Sequence, residues 1–293
     1  MPSSIDETYS SLLVDLPRQL HTVASRLPFH LGLSRHSDAR WSDFVTLPPN
    51  RDLPLFAAPP EHLLPADLSR FNAAHHVAAY WGLVADRLGD RQVEPTPELL
   101  ELREWLLQRW IDALTEATSD RGAAESAVET ATRRWRRSLH SERDASAAGC
   151  TDLSDYVDAT RDKLHWIATS ACAMYPSPED PRARSLRLAA ELLLVACQLR
   201  DDALDDEDDR VLRGAGVASL LGLTPAELYR AAPRVVHGAA FIAASGGHDT
   251  LARWLRDHAV VINTEPPPGA GSCNELRAMN LSAAIALRLC ALE

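Results

Sequence analysis

From Asp67 onward the chain carries one dominant pattern, the apolar periodicity of α-helices. Alanine, leucine and arginine prevail, runs of β-branched residues are scarce, and no strand-like alternation of apolar and polar residues persists. This pattern predicts an all-α fold. We expect helices over residues 67–92, 97–118, 122–141, 152–175, 182–209, 224–245, 248–263 and 273–291.

Prolines and glycines fall between these predicted helices, where chain reversals are needed. No internal repeat and no long linker divides the sequence after residue 66. Residues 67–293 are therefore expected to form one helical domain, a single-domain bundle. Residues 1–66 are expected to hold a leading helix near Ile5–Leu27 followed by a proline-rich irregular segment.

Composition excludes several classes of protein. A hydrophobic content of 46% supports a buried core, and a net charge of -11 argues against a nucleic-acid binder, which needs a basic face. No apolar run approaches the roughly 18–20 residues that span a bilayer, and the first residues lack the positive charge of a signal peptide. Five widely spaced cysteines are typical of a cytosolic chain. We expect a soluble, cytoplasmic protein whose oligomeric state is open, a homodimer included.

An apolar helix runs into a dense acidic segment at 201–209, where seven of nine residues are acids. On a continuous helix, Asp201, Asp205 and Asp209 would share one face. Like charges placed there are destabilising, and acids near a helix C-terminus oppose the macrodipole. A divalent cation would offset both costs, and Mg²⁺ usually takes one or two carboxylates together with substrate phosphates. The alternative interpretation is a solvated acidic helix end with no ligand.

A second pair of acids, Asp86 and Asp90, ends another apolar helical stretch and is also spaced four residues apart. The face of Asp86 carries Gly82, Ala79 and His75, which are small or polar and would suit the border of a cavity. An ordinary amphipathic helix with two exposed acids explains the same pattern. Two such helices in one domain favour carboxylates that face each other across a bundle, a known way to build metal sites.

The two acidic segments together resemble a known family. Asp86-Arg-Leu-Gly-Asp90 and Arg200-Asp-Asp-Ala-Leu-Asp205 resemble the two aspartate-rich motifs of class I isoprenoid synthases, over about residues 70–215 of this chain. The resemblance implies an all-α bundle of the isoprenoid synthase type with a central active-site cavity. It also implies more than one Mg²⁺ ion bridging the aspartates and a prenyl diphosphate substrate.

Two branches of that superfamily compete. Gln198-Leu-Arg-Asp201 followed by Asp205 resembles the second motif of squalene and phytoene synthases, but the signature expected after it is replaced by Arg210-Val-Leu-Arg-Gly-Ala-Gly. Terpene cyclases place metal ligands at i, i+4 and i+8, which Asp201, Asp205 and Asp209 match. We therefore favour a cyclase or diphosphate lyase over head-to-head condensation. Chain elongation ranks third because its first motif contains adjacent aspartates.

The resemblance also implies roles for individual residues. Arg161, five residues after Tyr156, resembles the region that holds the diphosphate-sensing arginine of terpene cyclases. The expected catalytic residues are Asp86, Asp202 and Arg161. The expected metal ligands are Asp86, Asp90, Asp201, Asp202, Asp205 and Asp209. The expected substrate-binding residues are Arg87, Arg161, Lys163, Arg210, Arg213, Tyr80, Trp81, Phe71 and Gln198.

Two alternatives apply to these assignments. The aromatic side chains would stabilise a carbocation by their faces, but ordinary core packing accounts for the same positions. The acidic run would also serve a non-catalytic helical protein as a patch that docks a basic partner.

Overall fold

A computed structural model describes residues 4–61, 63–262 and 272–291 of the chain. Within those ranges every regular element is helical and no strand occurs, which confirms the all-α prediction. Short 3₁₀ turns lie at Leu13–Asp15, Arg18–Leu20 and Trp41–Asp43. The α-helices are α1 Ile5–Leu12, α2 His21–Ala24, α3 Leu27–His30, α4 Pro48–Phe56, α5 Pro65–Gly89, α6 Pro97–Thr118, α7 Arg121–Ala148, α8 Leu153–Cys172, α9 Pro181–Leu204, α10 Asp206–Arg213, α11 Val217–Leu220, α12 Pro225–Ser245, α13 Asp249–Ile262 and α14 Glu275–Ala291.

Helices α5, α6, α8 and α12 to α14 confirm the sequence prediction within a few residues. The helix α7 extends to Ala148 instead of residue 141, and the prediction of one leading helix is wrong. The range Ile5–Leu27 is broken into α1, 3₁₀ turns and α2. Leu16 is extended, with φ -71° and ψ 137°, as expected for a residue that precedes proline. The short helix α4, inside the segment predicted to be irregular, was also missed; Pro48 and Pro49 open it at positions where proline is tolerated.

The predicted helix over 182–209 is also wrong as one continuous element. α9 ends at Leu204, Asp205 has φ -93° and ψ 3°, and α10 begins at Asp206. The four acids 206–209 therefore occupy the first turn of a helix, where the macrodipole favours negative charge. For these four acids the placement removes the unfavourable helix-dipole interaction of a continuous helix, whereas Asp201 and Asp202 remain in the last turn of α9.

Contacts divide the chain into two compact units, here called unit 1 and unit 2. Unit 1 comprises Met1–Thr132 and Thr169–Pro178; unit 2 comprises Arg133–Ala168 and Glu179–Glu293. The helices α7 and α8 contribute residues to both units.

In unit 1, α5 packs against α4 and α6. Tyr80 of α5 is fully buried, with its ring 4.9 Å from each of the rings of Tyr9 and Trp41. Its hydroxyl donates to the backbone carbonyl of Ile5. Trp81 lies 5.5 Å from Trp110. The contacts of Tyr80 hold the N-terminal helix α1 against the centre of α5, and the contact of Trp81 joins α5 to α6.

In unit 2, α9 is the central helix and packs against α12, which also contacts α13 and α14. Its middle part is buried on all sides through residues 188–196. The start of α12 is fixed by a capping box, in which Thr224 and Glu227 satisfy each other's backbone N–H groups. The site described below lies on α9 and on the parts of α7 and α8 that belong to unit 2.

Among the described helices, none is long and apolar enough to cross a membrane.

Candidate functional site

Unit 2 contains a cavity of about 620 Å³ formed by the C-terminal part of α7, the turn after it and the N-terminal part of α8. Its wall is polar and carries both signs of charge. The lining residues are Arg137, Ser141, Asp144, Ala145, Ala148, Cys150, Thr151, Asp155, Asp158, Ala159, Arg161 and Asp162. Arg137 of α7 and Asp162 of α8 form an ion pair in this wall, and Asp158 is paired with Arg288 of α14.

A buried ionic cluster adjoins this cavity. Glu191 of α9 is only 1% exposed, and its Oε2 accepts a hydrogen bond of 2.8 Å from Nε of Arg161. Arg134 of α7 lies 3.9 Å from Oε1 of the same carboxylate. Arg161 lines the cavity as well, so one guanidinium connects the buried carboxylate with the cavity wall.

His165 belongs to this cluster and is held in its neutral form. Arg134 Nη1 lies 3.1 Å from its Nδ1, and since arginine only donates, that nitrogen accepts and Nε2 carries the proton. Burial lowers the pKa of His165, and the charge of Arg134 acts in the same direction. Burial opposes ionisation of Glu191, but the charge and the hydrogen bond of Arg161 outweigh it and hold the pKa of Glu191 below its usual value. Glu191 is therefore a buried anion.

A second buried network joins α8 to the end of α9. The hydroxyl of Tyr156 donates to Oδ2 of Asp202 at 2.7 Å, and the side-chain amide of Gln198 donates to Oδ1 at 2.7 Å. Burial raises the pKa of Asp202 to about 7, with the charge of Asp201 adding to the effect and the two hydrogen bonds opposing it. Asp202 is therefore a carboxyl that changes its protonation near neutral pH.

The acidic run itself presents its carboxylates in different environments. Asp201 and Asp205 are exposed, whereas Asp209 is partly exposed. Asp206 is buried and paired with Arg210, and its Oδ1 lies under Gly216 without a hydrogen-bond partner. The break at Asp205 interrupts the single helical face on which the i, i+4, i+8 metal motif was predicted.

Three further basic residues of the predicted substrate site, Lys163, Arg210 and Arg213, belong to unit 2. Lys163 Nζ lies 3.5 Å from a carboxylate oxygen of Glu142, and its side chain is 14% exposed. Arg210 pairs with Asp206 and Glu207 of its own helix. Neither Lys163 nor Arg210 lines the cavity that Arg161 reaches. The side chain of Arg213 lies outside the described part of the structure.

The residues predicted from the first acidic motif lie in unit 1. Asp86 and Arg87 are in the last turns of α5, Asp90 is its C-cap, and all three are partly exposed. Phe71, Tyr80 and Trp81 are buried in the core of unit 1. Core packing was the alternative to substrate binding in the sequence analysis. The pairing of Asp86 and Asp90 with 201–209 joins residues of different units and stays a prediction.

Mg²⁺ fits part of the predicted ligand set. Asp201 and Asp205 are exposed carboxylates one helical turn apart, with the N–H of Asp205 bonded to the carbonyl of Asp201 at 2.9 Å. That donor type and number match an ion that takes one or two carboxylates and completes its shell with phosphate oxygens. Asp202 is buried and already accepts hydrogen bonds from Tyr156 and Gln198. Within the described residues, no group of three or more His, Cys, Asp or Glu side chains is placed to hold a metal by itself.

Sequence reasoning missed Glu191, Arg134 and His165 as site residues. One signal was present, since Glu191 interrupts the apolar run 188–197 at a position where a buried helix tolerates a charge only with a partner. Arg161 and His165 are also four residues apart, on one helical face. What the sequence could not supply is that this face of α8 meets Glu191 of α9.

No family model matches the chain, and a comparison with curated proteins finds no match.

Proposed function

We propose that the chain is a class I isoprenoid synthase that ionises a prenyl diphosphate in the presence of Mg²⁺ and forms a terpene by cyclisation or elimination. The observation that carries the proposal is the hydrogen bond between Tyr156 and Asp202, at 2.7 Å. Asp202 belongs to the second aspartate-rich motif, and Tyr156 belongs to the segment that resembles the region of the diphosphate-sensing arginine. The two residues are 46 positions apart in the sequence, and the bond joins them directly. The all-α fold is consistent with the same proposal.

Arg161 is the residue proposed to hold the diphosphate. It lines the cavity of unit 2, and guanidinium groups bind phosphate oxygens with paired N–H donors. Its Nε donates a hydrogen bond of 2.8 Å to Oε2 of Glu191. This hydrogen bond orients the guanidinium of Arg161 and restricts rotation of the side chain.

Asp201 and Asp205 are the carboxylates proposed to hold Mg²⁺ in unit 2, with Asp86 and Asp90 as further predicted ligands. When bound, Mg²⁺ supplies Lewis-acid stabilisation of the leaving diphosphate. Asp202, bonded to Tyr156 and Gln198, anchors the last turn of α9, so the neighbouring Asp201 is presented from an ordered helix end.

The direct test measures diphosphate release from C10, C15, C20 and C25 prenyl diphosphates with Mg²⁺, followed by analysis of the organic product. We expect release with at least one chain length, and its loss in Asp86→Asn and Asp202→Asn. Asp208→Asn is the matched control, because Asp208 is exposed in the same acidic run and belongs to neither motif. Release that persists in both motif variants would overturn the proposal.

The organic product separates the two branches. A hydrocarbon or alcohol with the carbon number of the substrate supports cyclisation or elimination. A product with twice that number supports head-to-head condensation, which gains weight because the continuous face of Asp201, Asp205 and Asp209 is interrupted at Asp205.

One observation favours a second candidate, a non-catalytic protein whose acidic patch docks a basic partner. The acids of α10 lie in its first turn, where the helix dipole stabilises them without a metal ion, and Glu207 and Asp208 are exposed. In that case the full chain should bind an oligolysine peptide in a salt-sensitive manner, and Glu207→Gln with Asp208→Asn should weaken the binding. It should also show no diphosphate release from any of the four substrates.

A further inference from the structure

The helix α14 carries apolar residues on two opposite sides. One side packs into unit 2 and presents five buried residues, which are Ala278, Leu281, Ser282, Ile285 and Leu289. On the opposite side Leu276 is 60% exposed and Leu287 is 72% exposed. A helix at the surface of a globular protein normally turns a polar face to water, and a helix that is hydrophobic all round is normally covered on every side. The second side of α14 is therefore a candidate contact surface.

The exposed residues on this side follow the spacing of a coiled-coil seam. Steps of four, three, four and three residues connect Leu276, Asn280, Ala283, Leu287 and Cys290, and all five are exposed. We call these five residues the outer seam. The steps are those of alternating a and d positions, with Asn280 and Leu287 at a and the other three at d. Side chains with this spacing interdigitate with those of a second helix.

The charge beside the outer seam restricts the kind of partner. The flanking e and g positions are held by Arg277, Met279, Ala284, Ala286 and Ala291. Arg277 is the one charged residue among them, and its Nη1 lies 3.5 Å from Oε1 of Glu227 in the same chain. This side of α14 is therefore neutral, in a chain in which 24% of the residues are charged. It offers no opposite charge to an acidic or basic partner, and no basic face to an anionic membrane.

Asn280 distinguishes between uncharged partners. A side-chain amide that is covered by an apolar surface loses its hydrogen bonds to water, which is unfavourable unless new partners replace them. A second copy of α14, packed in parallel, places its own Asn280 at the same level of the seam. Each amide then has an NH₂ group to donate and a carbonyl oxygen to accept. A single asparagine at an a position is also the residue that sets register and oligomer state in coiled coils.

We propose that the outer seam is the interface of a homodimer, in which two copies of α14 pack in parallel as a two-stranded coiled coil. The two-fold axis runs along the seam, so each seam residue meets the same residue of the second copy. Leu287 contacts its counterpart, and the two Cys290 thiols lie side by side. At 1.5 Å per residue the seam is only about 21 Å long, so the dimer should dissociate on dilution.

The first test measures the mass of the full chain by sedimentation equilibrium over a range of concentrations, with a reducing agent present. We expect the mass to rise from 32.1 kDa, that of one chain, to twice this value. Leu287→Asp should raise the Kd of the dimer by about tenfold or more, because it places a charge in an apolar contact. Val14→Asp is the matched control, since Val14 is 81% exposed and lies outside α14. A chain that stays monomeric, or a dimer that Leu287→Asp leaves unchanged, overturns the proposal.

Asn280→Asp tests whether Asn280 meets its own copy. The substitution keeps the shape of the side chain, and in the parallel dimer it sets two carboxylates against each other. The Kd should rise by about tenfold or more relative to wild type at pH 7. The difference should shrink near pH 4, where the introduced carboxyl groups become protonated. A Kd equal to that of wild type at pH 7 overturns the proposal.

A cross-linking measurement on the wild-type chain does not depend on the folding of any variant. With oxidised glutathione as the oxidant, a disulfide should form between two copies of Cys290, and mass spectrometry of the linked peptide identifies it. Exposed Cys150, outside α14, is the internal control and should remain unlinked. A dimer without this disulfide overturns the proposal, since an antiparallel pair would place Cys290 beside Leu276. A monomer that binds neutral phosphatidylcholine vesicles through Leu287 would assign the seam to a lipid surface and also overturns it.

Discussion

Asp202 shows how burial changes the chemistry of a single side chain. The residue is 8% exposed, and its two oxygens accept hydrogen bonds from Tyr156 and Gln198. These bonds favour the ionised form, but burial outweighs them and raises the pKa of Asp202 from 3.8 to about 7. The same carboxyl thus serves as a hydrogen-bond acceptor and as a group that titrates near neutrality.

Stability should therefore depend on pH through Asp202. Because the folded-state pKa is raised, the protonated form is favoured by folding, and the contribution of this group is lost as pH rises from about 4 through about 7. The difference between the two pKa values corresponds to at most about 4 kcal/mol. Asp202→Asn should remove this part of the pH dependence in urea unfolding near pH 5 and pH 8. An equal pH dependence in wild type and variant would contradict the assignment, and Asp208→Asn is the control.

Position 216 requires glycine because the side chain of Asp206 occupies the space that a Cβ atom would need. Its φ of -82° is open to any residue, but an added Cβ would lie 2.0 Å from Oδ1 of Asp206. Gly216→Ala should destabilise the protein by about 1–3 kcal/mol through this clash. Gly238 in α12 has nothing within 4 Å of an added Cβ, so Gly238→Ala should stabilise by about 0.5–1 kcal/mol. Chemical denaturation measures the free energy of unfolding of both variants, which should fall in Gly216→Ala and rise in Gly238→Ala. A lower value in Gly238→Ala would contradict the prediction.

At the scale of the element, the caps decide where helices begin. Thr224 accepts from the N–H of Glu227 at 3.3 Å, and Glu227 accepts from the N–H of Thr224 at 2.9 Å. Thr224→Ala should lower the free energy of unfolding by about 1 kcal/mol, and Thr224→Ser should retain most of it. If both variants lose the same amount in urea unfolding, the hydroxyl is not the group that caps α12.

Prolines, caps and apolar periodicity are local signals, and they predicted α5, α6, α8 and α12 to α14 within a few residues at each end. The end of α7, at Ala148 instead of residue 141, was missed. The break at Asp205 was missed because the acids on both sides of it fit one helical repeat, and only the backbone of Asp205 separates α9 from α10. Glu191 was missed because its partner Arg161 lies 30 residues away on another helix. Contacts between residues on different helices depend on tertiary packing and cannot be predicted from local sequence patterns.

At the scale of the whole molecule, unit 1 is built from two separate stretches of sequence. The second stretch, 169–178, supplies Ser170, whose hydroxyl accepts from Nε1 of Trp110 at 3.2 Å. It also supplies Tyr175, whose hydroxyl donates to the carbonyl of Ala58 at 2.7 Å. Unit 1 is therefore incomplete until the chain has passed through α8.

A fragment of residues 1–132 should consequently be less stable than a fragment of residues 1–178. We expect the shorter fragment to melt at a lower temperature or without a cooperative transition, because Trp110 loses the hydrogen-bond partner that its buried indole N–H requires. Circular dichroism during heating measures the melting temperature and the cooperativity of unfolding of each fragment. Equal melting curves would mean that 169–178 contributes nothing to the stability of unit 1.

Lys163 is the only lysine in the sequence, and its amine lies beside Glu142 on the same helices that form the cavity. A reagent that acylates amines therefore has one side-chain target in this chain, beside the α-amino group of the N-terminus. Mass spectrometry of the proteolytic peptide that contains Lys163 would measure the extent of its modification. The rate with and without a candidate substrate would report on the access of small molecules to this part of unit 2.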